Sequence, residues 1–105
     1  LLLFLLATPA CTTTVVACDF RGGSAHGAEP RCQERTGVAR SGVIAACESL
    51  GADPVDLCPD DPVAACLLTG GINGREVVDW YYAPAVPEEV RSTCFAQGGE
   101  PLPLP

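Results

Sequence analysis

Lysine and methionine are absent from this 105-residue chain, which carries one histidine, one tryptophan and six strong bases, all arginine. Set against 13 acidic residues, those bases leave a net charge of −7. A surface of that sign is repelled by phosphate backbones, so nucleic acid is excluded as a partner. His26 is the only imidazole and lies among Gly22, Gly23 and Gly27 in an expected turn. A Ser-His-Asp or Cys-His arrangement would have to be built on that one residue. No catalytic residue is assigned, and the chain is read as not an enzyme. Close cysteine pairs are missing too: the cysteines fall at 11, 18, 32, 47, 58, 66 and 94, and no C-x-x-C occurs. This excludes the ligand spacing of zinc sites and the dithiol of redox enzymes, so no metal or cofactor is expected.

What the chain does have is an apolar start and many cysteines. Leu1 to Ala7 reads LLLFLLA, too short for the roughly 20 apolar residues that span a bilayer. It has the length and leucine bias of a signal-peptide core. Two cleavage points follow. Thr8-Pro9-Ala10-Cys11 is similar to the lipobox of bacterial lipoproteins, in which the cysteine becomes the first mature residue and carries a lipid. Val15-Val16-Ala17 offers small residues for ordinary signal peptidase, cutting before Cys18. Residues 1–10, or alternatively 1–17, are therefore read as signal, 11–17 as a threonine-rich linker and 18–100 as the folded domain. Either cut leaves six cysteines, an even set for three disulfides, as befits a small exported domain. Lipidation at Cys11 places the protein in the bacterial periplasm or on the outer membrane; without it, the protein is extracellular.

The domain compares with itself. Cys18-Asp-Phe-Arg-Gly-Gly matches Cys66-Leu-Leu-Thr-Gly-Gly, and Cys47-Glu-Ser-Leu-Gly-Ala-Asp matches Cys94-Phe-Ala-Gln-Gly-Gly-Glu, at offsets of 48 and 47. Two repeat-like units, 18–53 and 66–100, follow. Each reads as a β-hairpin and a helix, giving an α+β fold. In the second unit Asn73-Gly74 is a hairpin turn signal, and Glu76 to Tyr82 is a return strand rich in β-branched and aromatic residues. Pro87 suits the first helical position, Glu88 and Glu89 complement the helix dipole, and Gly98 ends the helix. In the first unit Ser41 is a potential cap for a helix striped by Val43, Ile44, Cys47 and Leu50 and closed by Gly51. Residues 53–62 hold three prolines and are expected to form a rigid loop tied at Cys58. Pro101 to Pro105 is expected to be an extended, fraying tail.

Cys18, Cys32, Cys47, Cys58, Cys66 and Cys94 allow fifteen pairings. Cys18 and Cys32 are symmetric about a turn at Ala25, which favours a bridge across that hairpin. Cys66–Cys94 would staple strand to helix, leaving Cys47–Cys58. The alternative makes the units alike: Cys18–Cys47 mirrors Cys66–Cys94, and Cys32 takes Cys58.

Asp53, Asp56, Asp60 and Asp61 offer hard oxygen ligands but lack the order of a calcium loop, and proline-rich turns attract aspartate for its backbone hydrogen bonds. Alternation places Val78, Trp80 and Tyr82 on one face of the return strand and Val77, Asp79 and Tyr81 on the other. The Trp80 face is expected to bury against the helix of Val90 and Cys94. Tyr81 then points outward and, with Trp80, is a candidate contact residue.

Cys47 before Gly51, Cys58-Pro59, Cys66, Tyr81-Tyr82 and Cys94 before Gly98-Gly99 resemble the small cysteine-rich lipoproteins of Gram-negative predatory and gliding bacteria, over residues 47 to 100. The resemblance implies an envelope location and no known activity. The expectation is a noncatalytic envelope lipoprotein, membrane-tethered through its lipid, that binds another envelope protein or a wall component. The alternative is a freely secreted inhibitor or effector.

Overall fold

The computed structural model describes residues 14–23, 27–72 and 75–104. The apolar run, Cys11, His26 and the Asn73-Gly74 turn lie outside the described residues. Six strands and two helices follow in the order β1 (Val15–Asp19), β2 (Arg31–Thr36), α1 (Arg40–Ser49), β3 (Asp53–Val55), β4 (Ala64–Ile72), β5 (Arg75–Tyr81), α2 (Pro87–Ala96) and β6 (Glu100–Pro101). One sheet of order β3-β1-β2-β5-β4-β6 holds every strand, and all its pairings are antiparallel. The fold is α+β, with two hairpin–helix units whose inner strands β2 and β5 meet at the centre.

One rung of the sheet organises the molecule. Cys18, Gln33, Asp79 and Cys66 lie directly opposite one another across β1, β2, β5 and β4. Direct antiparallel partners project to the same face, so both outer cysteines of the rung face the same way. Each takes a helix: Cys18 bonds to Cys47 of α1 and Cys66 to Cys94 of α2. Both helices therefore lie on one face, and Cys18, Phe20, Cys47 and Ala52 form the core beneath α1.

The next rung faces the other way. Asp19, Cys32, Trp80 and Ala65 are opposite one another, and Cys32 bonds to Cys58 in the loop after β3. Cys18 stands across from Gln33 and not Cys32. That difference of one residue puts Cys18 and Cys32 on opposite faces of the sheet, where no bridge can join them. The favoured pairing of Cys18–Cys32 with Cys47–Cys58 is thus corrected to Cys18–Cys47 and Cys32–Cys58, while Cys66–Cys94 stands.

The helices end where local chemistry ends them. Gly51 (φ 76°) and Gly98 (φ 79°) follow the C-caps Leu50 and Gln97, in the left-handed conformation that glycine adopts without a Cβ clash. Pro87 opens α2, with Glu88 and Glu89 in its first turn. Ser41 does not cap α1: the N-cap is Ala39 and makes no side-chain hydrogen bond. The helix starts one residue before Ser41, so that hydroxyl falls inside the first turn.

Three segments are more ordered than their composition implies. Val15–Ala17, expected to be linker, belongs to β1, with Val16 and Ala17 fully buried. Asp53–Val55, expected to be loop, pairs with β1 as β3. The expected tail begins as a strand: Pro101 is opposite Cys66, and the Leu102 amide donates to the Ala65 carbonyl at 3.0 Å. Proline tolerates such edge positions because no ladder donor is needed there. Gly99 makes the last strand possible, since a Cβ on it would lie 2.6 Å from Cys66 Sγ and 3.1 Å from Cys94 Sγ.

Candidate functional site

The face opposite the helices carries a cleft of about 470 Å³ between β2, β5 and the loop after β3. Its wall is built by one disulfide and three side chains that alternation aims the same way. Glu34 on β2 is central. Its Oε1 accepts the Trp80 Nε1–H at 3.0 Å and its Oε2 accepts the Cys58 amide at 3.0 Å. Tyr82, just past β5, donates its hydroxyl to the Pro59 carbonyl at 2.7 Å. Together with Cys32–Cys58 these bonds hold the loop over the apolar cluster of Ala17, Cys32 and Tyr82. Asp60 and Asp61, both exposed, form the rim. Asp61 is held at φ 66°, a conformation uncommon for a residue with a side chain and tolerated by aspartate.

Trp80 and Tyr81 exchange their expected places. Trp80 faces the loop cleft, away from α2, whereas Tyr81 lies on the helix side beside Val86 and Val90. The cause is parity. Cys66 must point at α2 to reach Cys94, its partner Asp79 shares that face, and Tyr81, two residues on, follows. Burial and the neighbouring Asp79 carboxylate push the Tyr81 phenol up from its usual range. Trp80 is thereby the contact candidate that the site uses.

The four aspartates expected along 53–61 are not brought together around a cation. Asp56 pairs with Arg40, and Asp60 and Asp61 line the cleft. Among the described residues no group of three or more His, Cys, Asp or Glu is placed to hold a metal. Glu34 is the residue that sequence reasoning missed. Nothing in its local context marks it, because its partners Cys58 and Trp80 are 24 and 46 residues away.

An indole, two prolines and three carboxylates around a cleft of this size are suited to a cation. The carboxylates supply charge, and the ring face attracts ammonium or guanidinium groups. Each Glu34 oxygen accepts one described hydrogen bond and retains further acceptor capacity.

Tyr82 gives the loop a pH limit. Burial pushes its phenol up to about 12, with Asp19, Glu34 and Asp60 adding to the rise and the Arg21 guanidinium opposing it. In the unfolded chain the phenol ionises near 10, so between about pH 10 and 12 the folded state holds more protons and stability falls as pH rises. Stability followed by near-ultraviolet circular dichroism is expected to decline through that window. Tyr82→Phe should flatten the decline; an unchanged pH profile in that variant would remove Tyr82 as its source.

No family model, curated protein or solved structure matches the chain. Among the described residues, no helix is long and apolar enough to cross a membrane.

Proposed function

We propose that the protein is an exported, noncatalytic binding module of the bacterial cell envelope, whose loop-side cleft receives a lysine or arginine side chain of a partner protein. The disulfide-clamped cleft carries this reading. Cys32–Cys58, the Trp80–Glu34 hydrogen bond and the Tyr82–Pro59 hydrogen bond pre-form its wall, which lowers the ordering cost of binding. Export is supported by the pairing of all six cysteines of the described residues, a state that persists in oxidising compartments. Attachment through a lipid on Cys11 is part of the proposal. A cut before Cys11 leaves β1 whole, whereas a cut after Ala17 would remove the buried Val16 and Ala17 from the core. A duplicated strand–strand–helix–strand unit is also proposed, supported by the like order of elements and the like helix-to-first-strand bridges in 18–53 and 66–100.

Trp80 is the only tryptophan, so its fluorescence reports directly on the cleft. Titration of the oxidised protein with a short arginine-rich peptide is expected to change that emission saturably, and Asp60→Asn/Asp61→Asn should weaken binding roughly tenfold, about 1.4 kcal/mol. Equal binding of a glutamate-rich peptide, or indifference to the double substitution, would defeat the cleft reading. Intact mass of the mature amino-terminal peptide reports cleavage and lipid together. A peptide that begins at Cys11 without a lipid would reject the anchor.

A further inference from the structure

We propose that the groove between α1 and the centre of the sheet is a second site, which binds a small anion with an apolar tail, an acyl carboxylate, through Arg35 and Arg75. This groove, about 380 Å³, lies on the helix face, across the sheet from the acidic cleft. Its charge is the opposite of the protein's. The chain has 13 acidic residues and a net charge of −7, yet among the described residues no carboxylate lines the groove and two arginines do.

Those two arginines differ from their neighbours. Arg21, Arg31 and Arg40 each pair with a carboxylate: Asp19, Glu29 with Asp79, and Asp56 respectively. Arg35 instead donates through Nε at 3.0 Å and Nη2 at 2.8 Å to the neutral Gln33 Oε1. Gln33 is itself held by its Nε2, which donates to Asp79 Oδ1 at 2.9 Å. The guanidinium is therefore aimed without being neutralised, and its remaining N–H groups are left for another acceptor. Among the described residues, neither Arg35 nor Arg75 has an ion-pair partner. Arg75 opens β5 two residues before Val77, the direct partner of Arg35. By alternation the two cations project from one face of adjoining strands. A carboxylate between them would accept hydrogen bonds from two planar guanidinium groups, the geometry that favours arginine at anion sites.

The opposite wall is apolar. Val43 and Ala46 of α1 and its C-cap Leu50 line it, and Leu50 is 39% exposed although it is large and hydrophobic. Gly42 stands at the same wall, and a Cβ on it would meet nothing within 4 Å. The room beside Gly42 is thus open groove and not packed interior. Two cations on the sheet side, with an aliphatic wall from α1 opposite, match a ligand that is charged at one end and apolar along its length. The groove volume lies within the range of small-molecule sites.

Octanoate is the probe, with octylamine and octanol as controls of equal chain length, titrated into the oxidised full chain and followed by amide chemical shifts. Octanoate is expected to bind saturably with shifts centred on 33–50, and octylamine not to bind there. Arg35→Gln and Arg75→Gln should each weaken octanoate at least fivefold. Arg91→Gln, an exposed arginine outside the groove, should leave it unchanged. Gly42→Leu, which fills the groove from a position with room for a side chain, should abolish binding while the circular dichroism spectrum stays native. Octylamine binding at the same residues, or octanoate affinity indifferent to both arginine substitutions, would overturn the proposal. So would binding of a leucine-terminated peptide with none of octanoate, which would assign the groove to a peptide carboxylate.

Discussion

Removing the Cys32–Cys58 bridge by the double substitution Cys32→Ala/Cys58→Ala is expected to cost about 3.5 kcal/mol, by the chain-entropy model for a loop of this length. In a domain of this size that corresponds to a fall in Tm of roughly 15–25 °C. The three bridges span 29, 26 and 28 residues, so their effects on the unfolded chain are nearly equal. They differ in what they hold. Cys18–Cys47 and Cys66–Cys94 each fasten a helix that also packs on the sheet. Cys32–Cys58 fastens an irregular loop whose other described ties to the loop face include the Cys58 amide on Glu34 and the Tyr82 hydroxyl on Pro59. Its loss should therefore also dissolve the cleft, seen as a shift in Trp80 emission under conditions where the rest of the protein remains folded. Urea titrations of the double variant and the parent measure the cost. A difference below about 1 kcal/mol would show that the loop is held without the bridge.

Asp79→Ala is expected to cost about 3 kcal/mol for a different reason. Asp79 is 4% exposed and sits in the helix-facing rung, between Gln33 and Cys66. It accepts from Arg31 Nη1 at 3.2 Å and from Gln33 Nε2 at 2.9 Å. Burial lowers the affinity of the Arg31 guanidinium for its proton, but Asp79 and Glu29 more than offset this and raise it. Truncating Asp79 leaves Arg31 with Glu29 and strands the Gln33 amide donor, the type of change that costs far more than the net worth of the pair. Asp79→Asn, which keeps an acceptor for Gln33, should cost less. Arg31→Met/Asp79→Leu, which removes both charges, should recover most of the loss. Tyr81 supplies an independent readout: without the Asp79 carboxylate its phenol should ionise at lower pH in a spectrophotometric titration. If Asp79→Ala proved as stable as the parent, the buried network would be incidental to the fold.

Much of this architecture was legible residue by residue. Pro87, Glu88 and Glu89 mark the start of α2, and Gly51 and Gly98 mark the ends of both helices, because those signals act within one turn of chain. Alternation along β5 separates Val78, Trp80 and Tyr82 from Val77, Asp79 and Tyr81 as the sheet does, because strand periodicity is local. The correspondence between the two halves also pointed, as its alternative, to Cys18–Cys47 with Cys32–Cys58. The symmetry of Cys18 and Cys32 about an expected turn pointed elsewhere. It failed because the β1–β2 register is offset by one residue from that symmetry, and one residue is the difference between facing a partner and facing away from it.

The two hairpin–helix units and the helix ends therefore came from the sequence by itself. Composition and nearest neighbours are enough to specify them. Which face of the sheet each helix covers, which cysteines meet, and that Glu34 joins Trp80 to the Cys58 loop were decided only by tertiary structure. Each depends on strand register and on contacts between residues far apart in the chain, and no local pattern encodes the sum of those choices. Trp80 illustrates the division: its alternation was readable, but its place in a cleft followed from Cys66 and Cys94 having claimed the opposite face.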